Sequence, residues 1–438
     1  MNAPSPQESP DESIQVIDLF AGCGGFSAGF SSYVPRGSSK SPFTSVAAVE
    51  FDKAAASTYA ANFGASHVHA DDIATFNPSP FERKADVIMG GPPCQGFSGL
   101  GNQNPADPRN ELWREYMRVV TTVKPKIFVI ENVDRFMRSS QFAELEAAIE
   151  KPDGELRDYW MRVKILNAAD YGVPQARRRV IVICTRKDLV APLEHPHPTH
   201  AKKGVRIDPE GSDDGSFFTT EELLQGSRSL PRWVSVGSKV FARSARLTLR
   251  PARNIPLPSG DPSEIDAGIP GFYRTTELHF GREPTELSRA RYRAIPPGGN
   301  RNDLRHKSYR LDRKNAIRLS TEAGYERLTS SEHYLSTDSW DGHDKGSGDV
   351  MGRLRTDEPS VTIRTEFYKP EKGRYLHPTE DRPITHFEAA LIQGFPEDFK
   401  WYGTKIDIAR QIGNAVPVGL GKVLAEAIHR HLKEYDPS

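Results

Sequence analysis

Three observations predict an α/β fold: a mostly parallel sheet joined to a smaller, loop-rich domain. Short apolar runs alternate with helix-compatible stretches from residue 14 to residue 185. Those runs are apolar throughout rather than at every second position, as strands covered by helices on both faces are. From about residue 190 to 350 the periodicity weakens, and His, Pro, Gly, Ser and Arg dominate.

The expected strands are IQVIDLF (14–20), TSVAAVE (44–50), HVHA (67–70), DVIMG (86–90), KIFVIEN (126–132), RVKILNA (162–168) and RVIVICT (179–185). Between them, DKAAASTYAANF and ELWREYMRVVTTVK read as helices. After the irregular stretch, ITHFEAALIQ, IDIARQI and GLGKVLAEAIHRHLKEY restore a helical pattern.

Most of the expected strands end in residues that carry chemistry. The first runs into Gly22, Gly24 and Gly25, which allow a tight turn and a close backbone approach to a ligand. The turn fails the dinucleotide pattern G-x-G-x-x-G, because Ser27 stands where the third glycine belongs. The second strand ends at Glu50, where an acid can accept both hydroxyls of a ribose. Asp52 then reads as an ordinary charge at a helix start. The third strand is followed by Asp71 and Asp72, the fourth by GGPPCQGFS (90–98), and the fifth ends in Glu131-Asn132-Val133. The carboxyl edge of an open α/β sheet is where ligands bind, so these features together indicate an assembled site.

Within that site Cys94 lies on a loop stiffened by prolines, whereas Cys23 and Cys184 read as structural. Glu131 closes an otherwise apolar strand and is costly to bury without a partner; a carboxyl there can protonate a substrate. Gln175, Arg177 and Arg179 alternate, so they share one face of the entry to the seventh strand, and Arg178 points the other way. That face is either a solvated edge or a polar surface for a nucleotide base and its phosphates.

The chain has 438 residues, which suggests about three domains or fewer. Its 58 Lys/Arg balance 58 Asp/Glu, which argues against a polycationic binder. The balance hides an asymmetry: Arg232 to Arg318 holds 18 Lys/Arg against 8 Asp/Glu. Such a basic segment on an acidic body points toward a polyanion. Three cysteines without CxxC spacing argue for a reducing compartment and against a zinc finger. The N-terminus MNAPSPQESPDES is polar and acidic, unlike a signal peptide, and no apolar run reaches the ~18 residues of a spanning helix. A cytoplasmic location, no membrane and no metal are expected.

DLFAGCGGFSAGF, GGPPCQGFS, ENV, QARRR and RQIGNAVP (410–417) resemble, in order, the motifs of the DNA (cytosine-5)-methyltransferases of the bacterial restriction-modification type. DPRNELW and QGFPEDF also fit. The resemblance covers about 14–200 and 350–430. It implies a Rossmann-like S-adenosylmethionine-dependent methyltransferase domain with a smaller target recognition domain, transferring a methyl group to C5 of a flipped-out cytosine. The expected division is a disordered leader (1–13), a catalytic and cofactor-binding domain (14–195), a target recognition domain (196–350) and a C-terminal return segment (351–438).

Carried over by position, Cys94 is the nucleophile, Glu131 meets cytosine N3 and the exocyclic amine, and Arg179 meets O2. Arg177 reaches the catalytic loop or a phosphate. For S-adenosyl-L-methionine, Phe20 stacks on the adenine, Gly22 and Gly24 approach the methionine part, Glu50 holds the ribose and Asp72 the adenine amine. Gly25, Pro93 and Asn414 complete the cofactor set. Phe387 and Leu391 stand where the family often carries arginine. Double-stranded DNA is the implied partner, functional pairing with a restriction endonuclease is compatible, and a monomer is expected. The competing readings are a tRNA cytosine-5 methyltransferase, a non-catalytic DNA-binding relative, and a zinc module using His195, His197 and His200.

Overall fold

The computed structural model describes residues 13–93, 108–202, 205–206, 229–254, 258, 271–320, 328–342 and 348–436. The expected leader up to residue 12 and Cys94, the expected nucleophile, lie outside the described residues.

All seven expected strands form and join one sheet. In chain order the first half runs β1 (Ile14–Leu19), α1 (Gly25–Ser32), β2 (Phe43–Val49), α2 (Lys53–Phe63), β3 (Val68–His69), β4 (Val87–Gly90), α3 (Pro108–Val123), β5 (Ile127–Asn132), α4 (Ser140–Glu150), β6 (Tyr159–Asn167), β7 (Gln175–Ala176) and β8 (Arg178–Arg186). The sheet order is β3-β2-β1-β4-β5-β8-β6. Strands β1 to β5 are parallel. Strand β8 runs antiparallel to both of its neighbours.

Register places the site. Leu19 of β1 sits opposite Val49 of β2 and Gly90 of β4, and Gly90 sits opposite Ile130 of β5. These strands therefore finish at one edge. Because β8 is antiparallel, its start, not its end, lies there, with Val180 opposite Asn132.

The unbroken apolar runs are explained by burial on both faces. Successive residues point to opposite sides. Ile88, Phe128 and Ile130 pack with Tyr116 and Val119 of α3 and Leu145 of α4. Val87, Met89, Ile127 and Val129 pack instead with Phe26 and Phe30 of α1 and with the C-terminal helix.

The second half contributes β9 (Phe272–Arg274), α5 (Glu286–Ala294), β10 (Ser308–Leu311), β11 (Ile317–Ser320), β12 (His333–Tyr334), β13 (Ser360–Val361), α6 (His386–Gln393), β14 (Lys400–Tyr402), α7 (Lys405–Asn414) and α8 (Val418–Tyr435). Strands β10, β11 and β12 make a small antiparallel sheet. Strand β9 pairs with β14, and Val240, Leu278 and Phe280 share a core with Phe387 and Trp401. Part of the irregular middle segment thus packs on the C-terminal return.

Helix α8 closes the chain onto α1. Its Leu420, Leu424, Ile428 and Leu432 are buried at helical spacing. At roughly 1.5–3 kcal/mol per buried aliphatic side chain, they contribute on the order of 6–12 kcal/mol as an upper bound. Backbones meet closely at this contact: a Cβ on Gly29 would lie 2.6 Å from the Gly421 Cα.

Helix α6 carries a buried ion pair. Arg382 Nη1 and Nη2 donate to Glu388 Oε2 and Oε1 at 2.9 and 2.8 Å. Burial alone raises the Glu388 pKa, but the Arg382 bonds and charge outweigh it and hold the carboxyl at about 2. Among the described residues no helix is long and apolar enough to cross a membrane.

Candidate active site

A cleft of about 760 Å³ opens along the carboxyl edge of the sheet. Its first wall is the turn after β1. Phe20, Gly22 and Gly24 all take positive φ, at 56°, 55° and 89°. Gly24 is required by space as well, since a Cβ there would lie 2.3 Å from the Phe63 ring. Gly22 has nothing within 4 Å of where a Cβ would stand, so its backbone faces open cleft.

Glu50 braces this turn. Its Oε2 accepts from Gly22 N and its Oε1 from Asp52 N, both at 2.8 Å. Burial pushes its pKa up, against the two N–H bonds. A carboxylate offers about four lone-pair positions, so two remain for a ligand. Asp52 takes the role read for it, accepting from Ala55 N at 3.0 Å as the cap of α2. Asp72 caps a single turn by accepting from Ala74 N at 3.0 Å and lines the cleft.

Two features here were not read from the sequence. Phe51, directly after Glu50, is 71% exposed and lines the cleft. The signal was available as a large aromatic immediately following a strand-end acid. Asp18 is buried at the end of β1, accepting from the Ser27 hydroxyl at 2.8 Å. Burial pushes its carboxyl up to about 7, opposed by Ser27 and assisted by Glu50.

The opposite end of the cleft is formed by β5 and β8. Glu131 is buried, and its Oε1 lies 2.8 Å from Arg179 Nε. The contact is an ion pair without an aligned hydrogen bond, which leaves that oxygen with a free lone pair. Pro93 lines the same cleft as Glu131 and Arg179, and the next residue is Cys94. Asn132 Nδ2 donates to the Pro92 carbonyl at 2.9 Å, tying β5 to the loop that leads there. Asn414 lines the cleft from the end of α7.

Gln175 and Arg177 share a face as read, and that face is buried rather than a solvated edge, with Arg177 also lining the cleft. Gln175 Oε1 accepts from Ile363 N at 2.8 Å, and its Nε2 donates to Gln393. Arg177 Nη1 donates to the carbonyls of Ile363 and Gly413, both at 3.1 Å. Period-two alternation identifies a common face but not which side of it faces solvent. Burial and the adjacent Arg179 charge lower the Arg177 pKa, but a guanidinium holding two carbonyls stays protonated at neutral pH.

Cys23 and Cys184 are buried, as read, and Cys23 Sγ donates to the Gln411 carbonyl. His195 is buried with its Nε2 2.8 Å from the Ile181 carbonyl. Among the described residues no group of three His, Cys, Asp or Glu is disposed to hold a metal ion.

The model of the C-5 cytosine-specific DNA methylase family matches residues 14–222 and 283–430. The chain belongs to that family. It is similar to the Type II methyltransferase M1.HphI of Haemophilus parahaemolyticus, at 30% identity over 95% of this chain and 87% of the relative. It is also 31% identical to the Type II methyltransferase M.XorII of Xanthomonas oryzae pv. oryzae, over 95% and 85% of the two chains. A prophage-encoded E. coli protein described as a DNA modification methyltransferase has the same fold, with a TM-score of 0.54 at 24% identity over 96% of this chain and all of that one.

The methylase is therefore an S-adenosylmethionine-dependent DNA (cytosine-5)-methyltransferase. The cleft fits that cofactor: open backbone at Gly22, a carboxylate with lone pairs to spare at Glu50, aromatic rings at Phe20 and Phe51, and anionic residues to face a sulfonium.

Proposed function

We propose that the cleft holds S-adenosylmethionine at its β1–β2 end and a flipped cytosine at its β5–β8 end, and that Cys94 forms a covalent adduct with C6. The observation that carries this reading is the Glu131–Arg179 pair. It lines the cleft together with Gly22, Glu50 and the Pro93 that precedes Cys94, and a Cβ on Gly91 of the same loop would lie 3.3 Å from Glu131 Oε2.

On this reading Glu50 binds the ribose diol, Phe20 and Phe51 flank the adenine, Asp72 meets its amine, and Gly22 and Gly24 approach the methionine part. Asn414 closes the pocket. C5 of cytosine is a weak nucleophile. Attack of the Cys94 thiolate at C6 breaks the C5–C6 double bond and displaces electron density through C4 onto N3, where a protonated Glu131 donates a hydrogen bond or its proton, leaving an enamine at C5. Arg179 holds O2 and orients Glu131. The sulfonium of the cofactor supplies the methyl group to the carbon thus activated. Loss of the C5 proton then expels Cys94 and restores the ring. C6 is unreachable inside a duplex, so the base must leave the stack.

We assign target recognition to 196–350, where the basic stretch from Arg232 to Arg318 would supply phosphate contacts. We also propose a monomer, and the likeness to Type II methyltransferases supports a functional pairing with a restriction endonuclease.

Bisulfite sequencing of DNA from a host expressing the protein identifies the target. A duplex with 5-fluorocytosine at that target then tests the adduct. Fluorine cannot leave as a cation, so a denaturant-resistant protein–DNA complex is expected with S-adenosylmethionine. It should vanish in Cys94→Ala and persist in Cys184→Ala. Trapping that survives Cys94→Ala overturns the nucleophile, and trapping on transfer RNA but not on duplex DNA overturns the substrate.

A further inference from the structure

Four arginines line the cleft: Arg177, Arg179, Arg364 and Arg410. Three are engaged. Arg177 holds two carbonyls, Arg179 pairs with Glu131, and Arg410 pairs with Asp52 at 3.2 Å. Arg364 is exposed, and among the described residues no carboxylate pairs with it.

The backbone carrying Arg364 is fixed on both sides. Strand β13, just before it, pairs in parallel with β7. Ile363 is gripped at its N–H by Gln175 and at its carbonyl by Arg177. The Tyr375 hydroxyl donates to the Thr362 carbonyl at 3.1 Å. Against the far side lies Gly413, where a Cβ would stand 2.4 Å from Thr365 N. A buried latch therefore presents one long, solvent-facing cation at the rim of the cleft. Because the backbone beneath it is already fixed, an anion arriving from outside finds that backbone pre-positioned, which lowers the ordering cost of binding.

The charge pattern indicates which anion. Asp18, Glu50, Asp52, Asp71 and Asp72 cluster at the β1–β2 end, which suits the cationic sulfonium and ammonium of the cofactor. Arg364 belongs to the β7 end, with Arg177 and Arg179. We infer that Arg364 binds a phosphate of the DNA strand carrying the flipped cytosine, and so is a positioning residue for the methylated nucleotide. This rests on the cleft taking cytosine as proposed above. A guanidinium is suited to the task because its fork matches two phosphate oxygens.

The test compares wild type, Arg364→Ala and Arg364→Lys on a short duplex carrying the mapped target. In Arg364→Ala, duplex affinity should fall about ten-fold, as when one charged hydrogen bond is removed. The slope of log K against log salt should flatten by about 0.9, the value for a single neutralised phosphate. Arg364→Lys should keep the slope while binding less tightly than wild type. Cofactor affinity without DNA, measured by calorimetry, and the melting temperature should match wild type in both. An unchanged slope with wild-type affinity overturns the assignment. So does weakened cofactor binding with a normal slope, which would move Arg364 onto the cofactor carboxylate. Wild-type protein that methylates no duplex overturns the underlying reading, whatever the variants do.

Discussion

The Glu131 carboxylate ends a strand that is otherwise apolar, with the Arg179 guanidinium 2.8 Å away. Replacing it with glutamine keeps the shape and removes the acid. Turnover should fall by about two to four orders of magnitude, the range for losing general acid–base assistance. Cofactor affinity should be retained, because Glu50 and the glycine turn are untouched. Single-turnover methylation and equilibrium cofactor binding measured on one preparation separate the two, and an unchanged turnover rejects the role. At this scale the sequence was legible where a polar residue interrupts an apolar run, as at Glu131 and Glu50. It was illegible where orientation decides. Gln175 and Arg177 read equally well as a nucleotide-facing surface, and only the packing of residues 363 and 413 against them reveals a latch. Arg364 carried no signal, because nothing local distinguishes it from the other charged residues, of both signs, around it in the return segment.

At the scale of elements, strands and helices were recoverable because burial on both faces leaves continuous apolar runs. The direction of β8 was not recoverable, since antiparallel and parallel strands in a covered sheet have the same composition. That direction matters, because it brings Arg179 at the start of β8 to Glu131 near the end of β5. Helix α6 offers a test of an element's own energetics. Glu388 is held at about 2 in the fold against about 4.3 in an unfolded chain. An acid with a depressed folded pKa stabilises fully above its unfolded value and loses that contribution as pH falls toward the folded one. Unfolding free energy should therefore decline between about pH 4.5 and pH 2 from this group. In Glu388→Gln that part of the acid slope should disappear, and at neutral pH the variant should be less stable by about 3–5 kcal/mol, as when one partner of a buried pair is removed. Urea titrations across this pH range measure both effects. A variant as stable as wild type at pH 7 contradicts the account.

Across the whole molecule, the cleft is built from distant parts of the chain. The turn after β1, the ends of β2 and β5, the start of β8, the strip at 362–365 and the end of α7 all meet there. Helix α8 then seals α1 and the sheet from below. The latch has a consequence for how the protein can be made. Gln175 and Arg177 lie before the variable middle and grip backbone atoms at 363 and 413, which lie after it. Alignment of the floor thus depends on reciprocal hydrogen bonds and a shared core, not on one continuous polypeptide. A backbone broken once between residues 206 and 229 should leave two fragments that find each other when co-expressed, co-purify, and together methylate DNA. The same pair carrying Arg177→Ala should associate more weakly, because Arg177 then no longer clasps the second fragment. In the terms of protein engineering, the methylase should behave as a split enzyme, whose activity reports whether its two halves have been brought into the same cell.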